Sequence, residues 1–307
     1  MSNWTVADIP PQHGKLAVIT GSTAGLGLEA ALQLVKKGAQ VVLTGRNDAK
    51  GRDAVEKIRA QIPEANIAYE NLDLANLASV ADFAKRFAAS YPSLDLLINN
   101  AGVMALPKRQ TTADGFEMQF GTNYLGHYSL TAHLLAALRR SPAPRVVNLS
   151  SLAHRLGFID FSDLQGERFY MPWKAYNQSK LAMLVFALEL QRRSDAAGWN
   201  LTSVAAHPGW ARTDLFNGPG TLFTLASSFV APLLSQSAEN GTMPILYAAT
   251  SPQAKPGGYY GPDGMSELKG SPGTARIMPQ ASDKTTAVKL WDVSEQLTGV
   301  SFALAAF

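Results

Sequence analysis

An α/β fold built on a doubly wound parallel sheet is what this sequence predicts, as a single domain over residues 1–307. Three observations carry the prediction. Short runs rich in Val, Ile and Leu alternate with amphipathic segments from residue 15 to residue 206. The runs are apolar throughout rather than at every second position, as strands covered on both faces must be. No linker, composition break or repeat interrupts the alternation, and unbroken β–α succession implies right-handed crossovers within one sheet.

The elements follow in order. Strands are expected at 15–20, 40–44, 66–71, 94–98, 145–149 and 201–206, separated by helices at 26–37, 49–61, 79–89, 115–139 and 175–197. The regularity weakens after residue 206. A glycine-marked apolar stretch at 221–234 suggests a small C-terminal lid over the substrate site, about residues 210–235, and a helix is expected at 238–249. Residues 257–264 read as a short strand and turn, 266–284 as loop, and 285–297 as a tail helix.

Composition narrows the function. Hydrophobic residues make up 46% and charged residues 17%, ample for a core. A net charge of +3 over this length predicts no nucleic-acid partner. Cysteine is absent, which excludes disulfides, thiol nucleophiles and cysteine metal sites. The five histidines show no metal-binding spacing, and His127 and His133 are expected to be structural. The start carries no secretory pattern and the 221–234 stretch is too short for a bilayer span, so a cytoplasmic protein without a stable membrane anchor is expected.

The first chemical motif is the turn after the first strand: Gly21, Ser22, Thr23, Ala24, Gly25, Leu26 and Gly27. A glycine-rich turn between strand and helix lets backbone approach a pyrophosphate and aims a helix N-terminus at it. This is a dinucleotide site of Rossmann type, and no Gly-Lys-Ser/Thr follows that would favour ATP. After the second strand come Arg46 and Asn47 instead of a carboxylate. A guanidinium there suits a 2′-phosphate, so NADP(H) is the expected cofactor. Asp48, one position on, reads as a helix N-cap.

The second motif is Tyr176 and Lys180, four apart on one helix face. A free phenol has a pKa of ~10, but an ammonium at ~4 Å in an effective dielectric of ~20 stabilises the phenolate by about 4 kcal/mol. That would bring Tyr176 into the range of proton transfer to a carbonyl oxygen.

Together with TGSTAGLG at 20–27, NNAG at 99–102, TNYLGHY at 122–128, the Ser150–Ser151 pair, YNQSK at 176–180 and HPGWART at 207–213, these residues resemble the short-chain dehydrogenase/reductase family over nearly the whole chain. The stretch after Ser150 is similar to the retinol dehydrogenase and WW-domain oxidoreductase branch. The resemblance implies an oxidoreductase acting on a carbonyl or alcohol, the long 151–176 spacer and apolar lid suggesting a lipophilic one. It implies that Tyr176 is the acid–base, Lys180 its electrostatic partner and ribose ligand, and Asn123 the anchor of a proton relay. Adjacent strand residues face opposite ways, and the branch places the second serine, Ser151, at the substrate oxygen. By the same resemblance Asp73, Leu74, Asn100, Ala101, Gly102, Pro208, Gly209 and Thr213 contact cofactor. Relatives form dimers or tetramers through the two long helices, so a homo-oligomer is expected. The rival reading is a non-catalytic NADP(H) sensor or scaffold, which would have no use for the Asn–Ser–Tyr–Lys set.

Overall fold

The computed structural model describes residues 4–210 and 237–302. The expected lid and Thr213 therefore lie outside the described residues, apart from Trp210 at the lid's first position. One sheet organises the rest. Its strands are β1 (Leu16–Ile19), β2 (Gln40–Gly45), β3 (Ile67–Asn71), β4 (Leu96–Asn99), β5 (Arg145–Leu149), β6 (Thr202–Ala206), β7 (Tyr259–Gly264) and β8 (Lys269–Thr274). They lie in the order β3-β2-β1-β4-β5-β6-β7-β8. All pairs are parallel except β7–β8.

Helices cover both faces: α1 (Gly25–Lys36), α2 (Asp48–Arg59), α3 (Leu77–Ser90), α4 (Gly126–Arg139), α5 (Pro172–Ala197), α6 (Ala238–Thr250) and α7 (Lys284–Thr298). Successive strand residues feed separate cores. Leu16 and Val18 face a cluster with Phe83, Leu134 and Leu184, whereas Ala17 and Ile19 face one with Leu34, Ile58 and Ile245. This explains the unbroken apolar runs: both faces of each strand are buried. Trp291 of α7 joins Tyr128, Phe186 and Phe302, its ring centre 4.5 Å from that of Phe302. Removing a ring from such a cluster costs about 3–5 kcal/mol.

Three expectations need correction. The helix expected at 115–139 does not run through. Gly115 has φ +88°, helix begins only at Met118, and Gly121–Leu125 forms a π-helical turn before α4. Asp48 does not cap α2. Asn47 does, its side chain accepting from the Lys50 amide at 3.0 Å, while Asp48 accepts from Asn71 at 2.7 Å and Tyr69 at 3.2 Å. Residues 266–284 are not all loop, because β8 returns antiparallel along β7. Its glycines and Pro272 hide the strand from an apolar pattern, and an edge position tolerates them.

Candidate active site

The strand order reverses between β1 and β4, which opens a crevice at the carboxyl edge of the sheet. A cavity of about 720 Å³ occupies it. Gly21, Thr23, Ala24, Gly25 and Leu26 form one wall, with Arg46, Asp73, Leu74, Asn100, Ala101 and Gly102 beside them. Ser151, Tyr176, Lys180, Pro208 and Gly209 line the other end. Sixteen positions expected at the site thus share one cleft although they come from six βα connections and one helix.

The remaining expected residues are placed differently. The Ser22 hydroxyl donates to the Ile19 carbonyl and accepts from the Thr44 amide, fastening the turn between β1 and β2. A Cβ on Gly27 would lie 2.7 Å from the Asn100 amide nitrogen, so glycine there lets α1 start against the turn. Asn47 spends its side-chain oxygen on the cap of α2 and does not line the cleft. Gly21 has φ +61°, and a side chain on it would press on Ala101 at 2.8 Å. Ala24, which precedes α1, offers no side-chain cap, leaving the first amides of that helix to the cleft.

Asn123 sits behind the cleft, fully buried in the π-helical turn. Its amide oxygen accepts from the Val103 amide at 2.7 Å, and its nitrogen donates to the Val103 carbonyl and the Ser179 hydroxyl, both at 2.9 Å. Its main-chain carbonyl accepts from Nδ1 of His127 at 2.8 Å. The other nitrogen of that ring meets the Thr20 hydroxyl at 2.8 Å, and Thr20 in turn accepts from the Asn100 and Ala101 amides. Burial depresses the His127 pKa to about 3, so the ring is a neutral bridge. The expected structural role of His127 is a specific one: it ties the dinucleotide turn to Asn123.

Tyr176 and Lys180 are both buried. Lys180 donates to the Leu149 carbonyl at 3.1 Å, and its ammonium lies 5.9 Å from the centre of the Tyr176 ring. Burial raises the Tyr176 pKa to about 12, offset in part by a hydrogen bond with Ser151. Burial lowers Lys180 to about 8. The expected depression of the phenol by the ammonium is therefore not what the cleft does on its own. Desolvation outweighs it. Ser151 lines the cleft with Tyr176 and Lys180, and the buried Ser150 hydroxyl donates to the Lys180 carbonyl at 2.8 Å.

Residues 15–219 match the family model for short chain dehydrogenases. The chain belongs to that family. It is 42% identical to polyprenol dehydrogenase of Mus musculus over 297 residues, covering 95% of this chain and 86% of that one. It is 39% identical to retinol dehydrogenase 13 of the same species, covering 94% and 85%. These relatives place it in the retinol dehydrogenase-like branch, and such dehydrogenases are hydride-transfer oxidoreductases of alcohol and carbonyl groups. Among solved structures it resembles an uncharacterized protein from Mycobacterium paratuberculosis, with TM-score 0.83, 38% identity and coverage of 99% and 100%. A short chain dehydrogenase from Shigella flexneri, complexed with NADP, aligns with TM-score 0.63 and 25% identity over 82% of this chain and 98% of that one. No helix among the described residues is long and apolar enough to cross a membrane, and no group of three metal-ligating side chains occurs among them.

Two features around the cleft escaped sequence reading. The π-helical turn at Asn123 has no residue signature. The hairpin residue Glu267, which bonds His207 beside the cleft, sits in a stretch whose glycines and charges read as loop.

Proposed function

We propose that this protein is an NADP(H)-dependent oxidoreductase that interconverts a carbonyl and an alcohol on a lipophilic aldehyde, ketone or retinoid- or steroid-like substrate. The observation that carries the reading is the meeting of Ser151, Tyr176 and Lys180 at one end of a cleft whose other end is a glycine turn at a helix start. The turn suits a pyrophosphate, because neither a Cβ at Gly21 nor a capping side chain at Ala24 intrudes. Arg46 is exposed on the cleft where a 2′-phosphate would lie, and the nearby Asp48 carboxylate is engaged by Tyr69 and Asn71. Asp73 and Asn100 stand where the adenosine would pass.

A nicotinamide bound in the cleft would supply or accept the hydride. The chain's own groups handle the oxygen. Tyr176, protonated up to about pH 12, gives its proton to the carbonyl oxygen as that oxygen gains charge. The Ser151 hydroxyl donates to the same oxygen and holds it beside the phenol. Lys180 lines the same end of the cleft, and its burial makes its charge easier to remove. Val103, Met104, Leu152, Leu156, Trp173 and Trp210 also line the cleft. That wall favours an apolar substrate body, in keeping with relatives named for polyprenol and retinol.

The test is NADPH oxidation, with NADH beside it, against a panel of medium- and long-chain aldehydes, ketones and quinones. Turnover with NADPH on apolar carbonyls is expected. NADPH binding without turnover on any of them would favour the sensor reading instead. The homo-oligomer gains little: among the described residues, Trp173 is the one exposed large apolar side chain on α4 and α5.

A further inference from the structure

Beyond the cleft lies a cluster that the proposed chemistry does not use. Glu267 sits at the tip between β7 and β8, on backbone that L-residues seldom adopt: φ is +57° at Ser266 and +67° at Glu267. Two consecutive left-handed residues, neither of them glycine, are held only where the surroundings fix them. Here the fixing contacts are polar. Glu267 Oε2 accepts from Nη2 of Arg155 at 2.7 Å and from Nε2 of His207 at 3.0 Å, and Oε1 accepts from the Arg276 amide at 3.0 Å.

Each of the two side-chain donors leads back to the cleft. Arg155 lies in the short helical turn Leu152–Leu156 that Ser151 opens, and Ser151 caps that turn through the Ala153 amide. His207 precedes the Pro208–Gly209 turn, and its Nδ1 accepts from the Gly209 amide at 3.1 Å. An imidazole that accepts at Nδ1 carries its proton on Nε2, so it donates to Glu267 as a neutral ring. Full burial of His207, which lowers its pKa, agrees with that state. The same tip adds a main-chain tie, since the Trp210 amide donates to the Leu268 carbonyl at 2.9 Å. Gly261 makes room for the ring, because a Cβ there would collide with the imidazole.

We propose that Glu267 is a positioning residue, a carboxylate keystone that sets the Pro208–Gly209 turn through His207 and the Ser151 turn through Arg155. Three donors converge on its two oxygens with no acceptor among them. Only a carboxylate satisfies all three, since an amide in either orientation would set an NH₂ against a donor. The inference rests on the cleft's being a nicotinamide dinucleotide site.

The experiment measures NADPH affinity of the full chain by quenching of tryptophan fluorescence, with NADH run in parallel, for wild type, Glu267→Gln, His207→Phe and the double variant. Loss of one charge-assisted bond predicts about tenfold weaker NADPH binding in each single variant, and about the same, not their product, in the double variant. Non-additivity is the signature of action through His207; a merely structural loss would multiply. Arg155→Met, on the other arm, should lower kcat about tenfold on a carbonyl turned over by wild type, with NADPH affinity changed less than about twofold. It also serves if Glu267→Gln does not fold. Unchanged NADPH affinity in Glu267→Gln, multiplying effects in the double variant, or unchanged kcat in Arg155→Met would overturn the proposal. Wild-type protein that bound neither NADPH nor NADH would instead overturn the cofactor reading.

Discussion

Lys180 should make the empty protein less stable than it could be, and Lys180→Met measures by how much. Burial moves its pKa from 10.5 to about 8. The unfolded chain therefore binds more protons than the folded one between those values, and stability rises with pH across that window. That displacement corresponds to about 3 kcal/mol of destabilisation at pH 7 and about 1 kcal/mol at pH 10. Methionine nearly preserves the volume but removes the donor to the Leu149 carbonyl, which costs about 1–2 kcal/mol. The variant should accordingly be about 1–2 kcal/mol more stable than wild type at pH 7 and no more stable at pH 10. Urea unfolding of cofactor-free protein at the two pH values, followed by circular dichroism and fluorescence, reads the difference. A variant equally destabilised at both would show that Lys180 is not held against a desolvation penalty, and the argument would fail.

Other expectations follow from the same geometry. Tyr176→Phe should abolish carbonyl reduction while leaving NADPH affinity within about twofold, because the ring and its packing remain; stopped-flow turnover and fluorescence titration separate the two. Arg46→Ala should weaken NADPH by about tenfold or more and leave NADH unchanged, since under the proposed reading only a 2′-phosphate would meet the guanidinium; equal losses in both titrations would remove Arg46 from that role. Ser151→Ala should lower kcat about 10²-fold, whereas Ser150→Ala, losing the bond to the Lys180 carbonyl, should cost about 1 kcal/mol of stability. In the pH profile, reduction should stay level from pH 6 to 8 while alcohol oxidation climbs, because the buried phenol keeps its proton far above neutrality.

How much of this was legible depended on what each feature rests on. β1, β2 and β4–β6 were readable because burial on both faces demands apolar residues at every position, and Arg145–Leu149 was placed to the residue. The glycine turn and the Tyr176–Lys180 spacing were readable because each is a local geometric requirement. β8 was not, because an edge strand paired on one side needs no apolar signal. The π-helical turn was hidden for another reason. Its cause is tertiary, the buried bonds from Asn123 to Val103 and Ser179 and from His127 to Thr20. Asn47 shows the limit of reading by position: its side-chain oxygen serves the backbone of α2, which its place after β2 does not announce. A hydrogen bond across the 207–267 separation likewise has no local trace.

The opposed shifts of Tyr176 and Lys180 have one origin with two consequences. Desolvation penalises whichever form is charged, so it raises an acid and lowers a base. Sharing one dry pocket, the phenol and the ammonium are driven apart, from 10.0 and 10.5 to about 12 and about 8. The cleft thus holds a phenol that keeps its proton and an ammonium whose charge is weakly held. That arrangement is ready for reduction and poorly prepared for oxidation, which needs the phenol as a base. Positive charge entering the pocket would reverse the balance, stabilising phenolate and driving Lys180 toward its neutral form. An oxidised nicotinamide, being cationic, would therefore bias Tyr176 toward base, and a reduced, neutral one toward acid. With such a ligand in the cleft, its charge would set direction at the phenol, and the low dielectric of the pocket would make that charge effective.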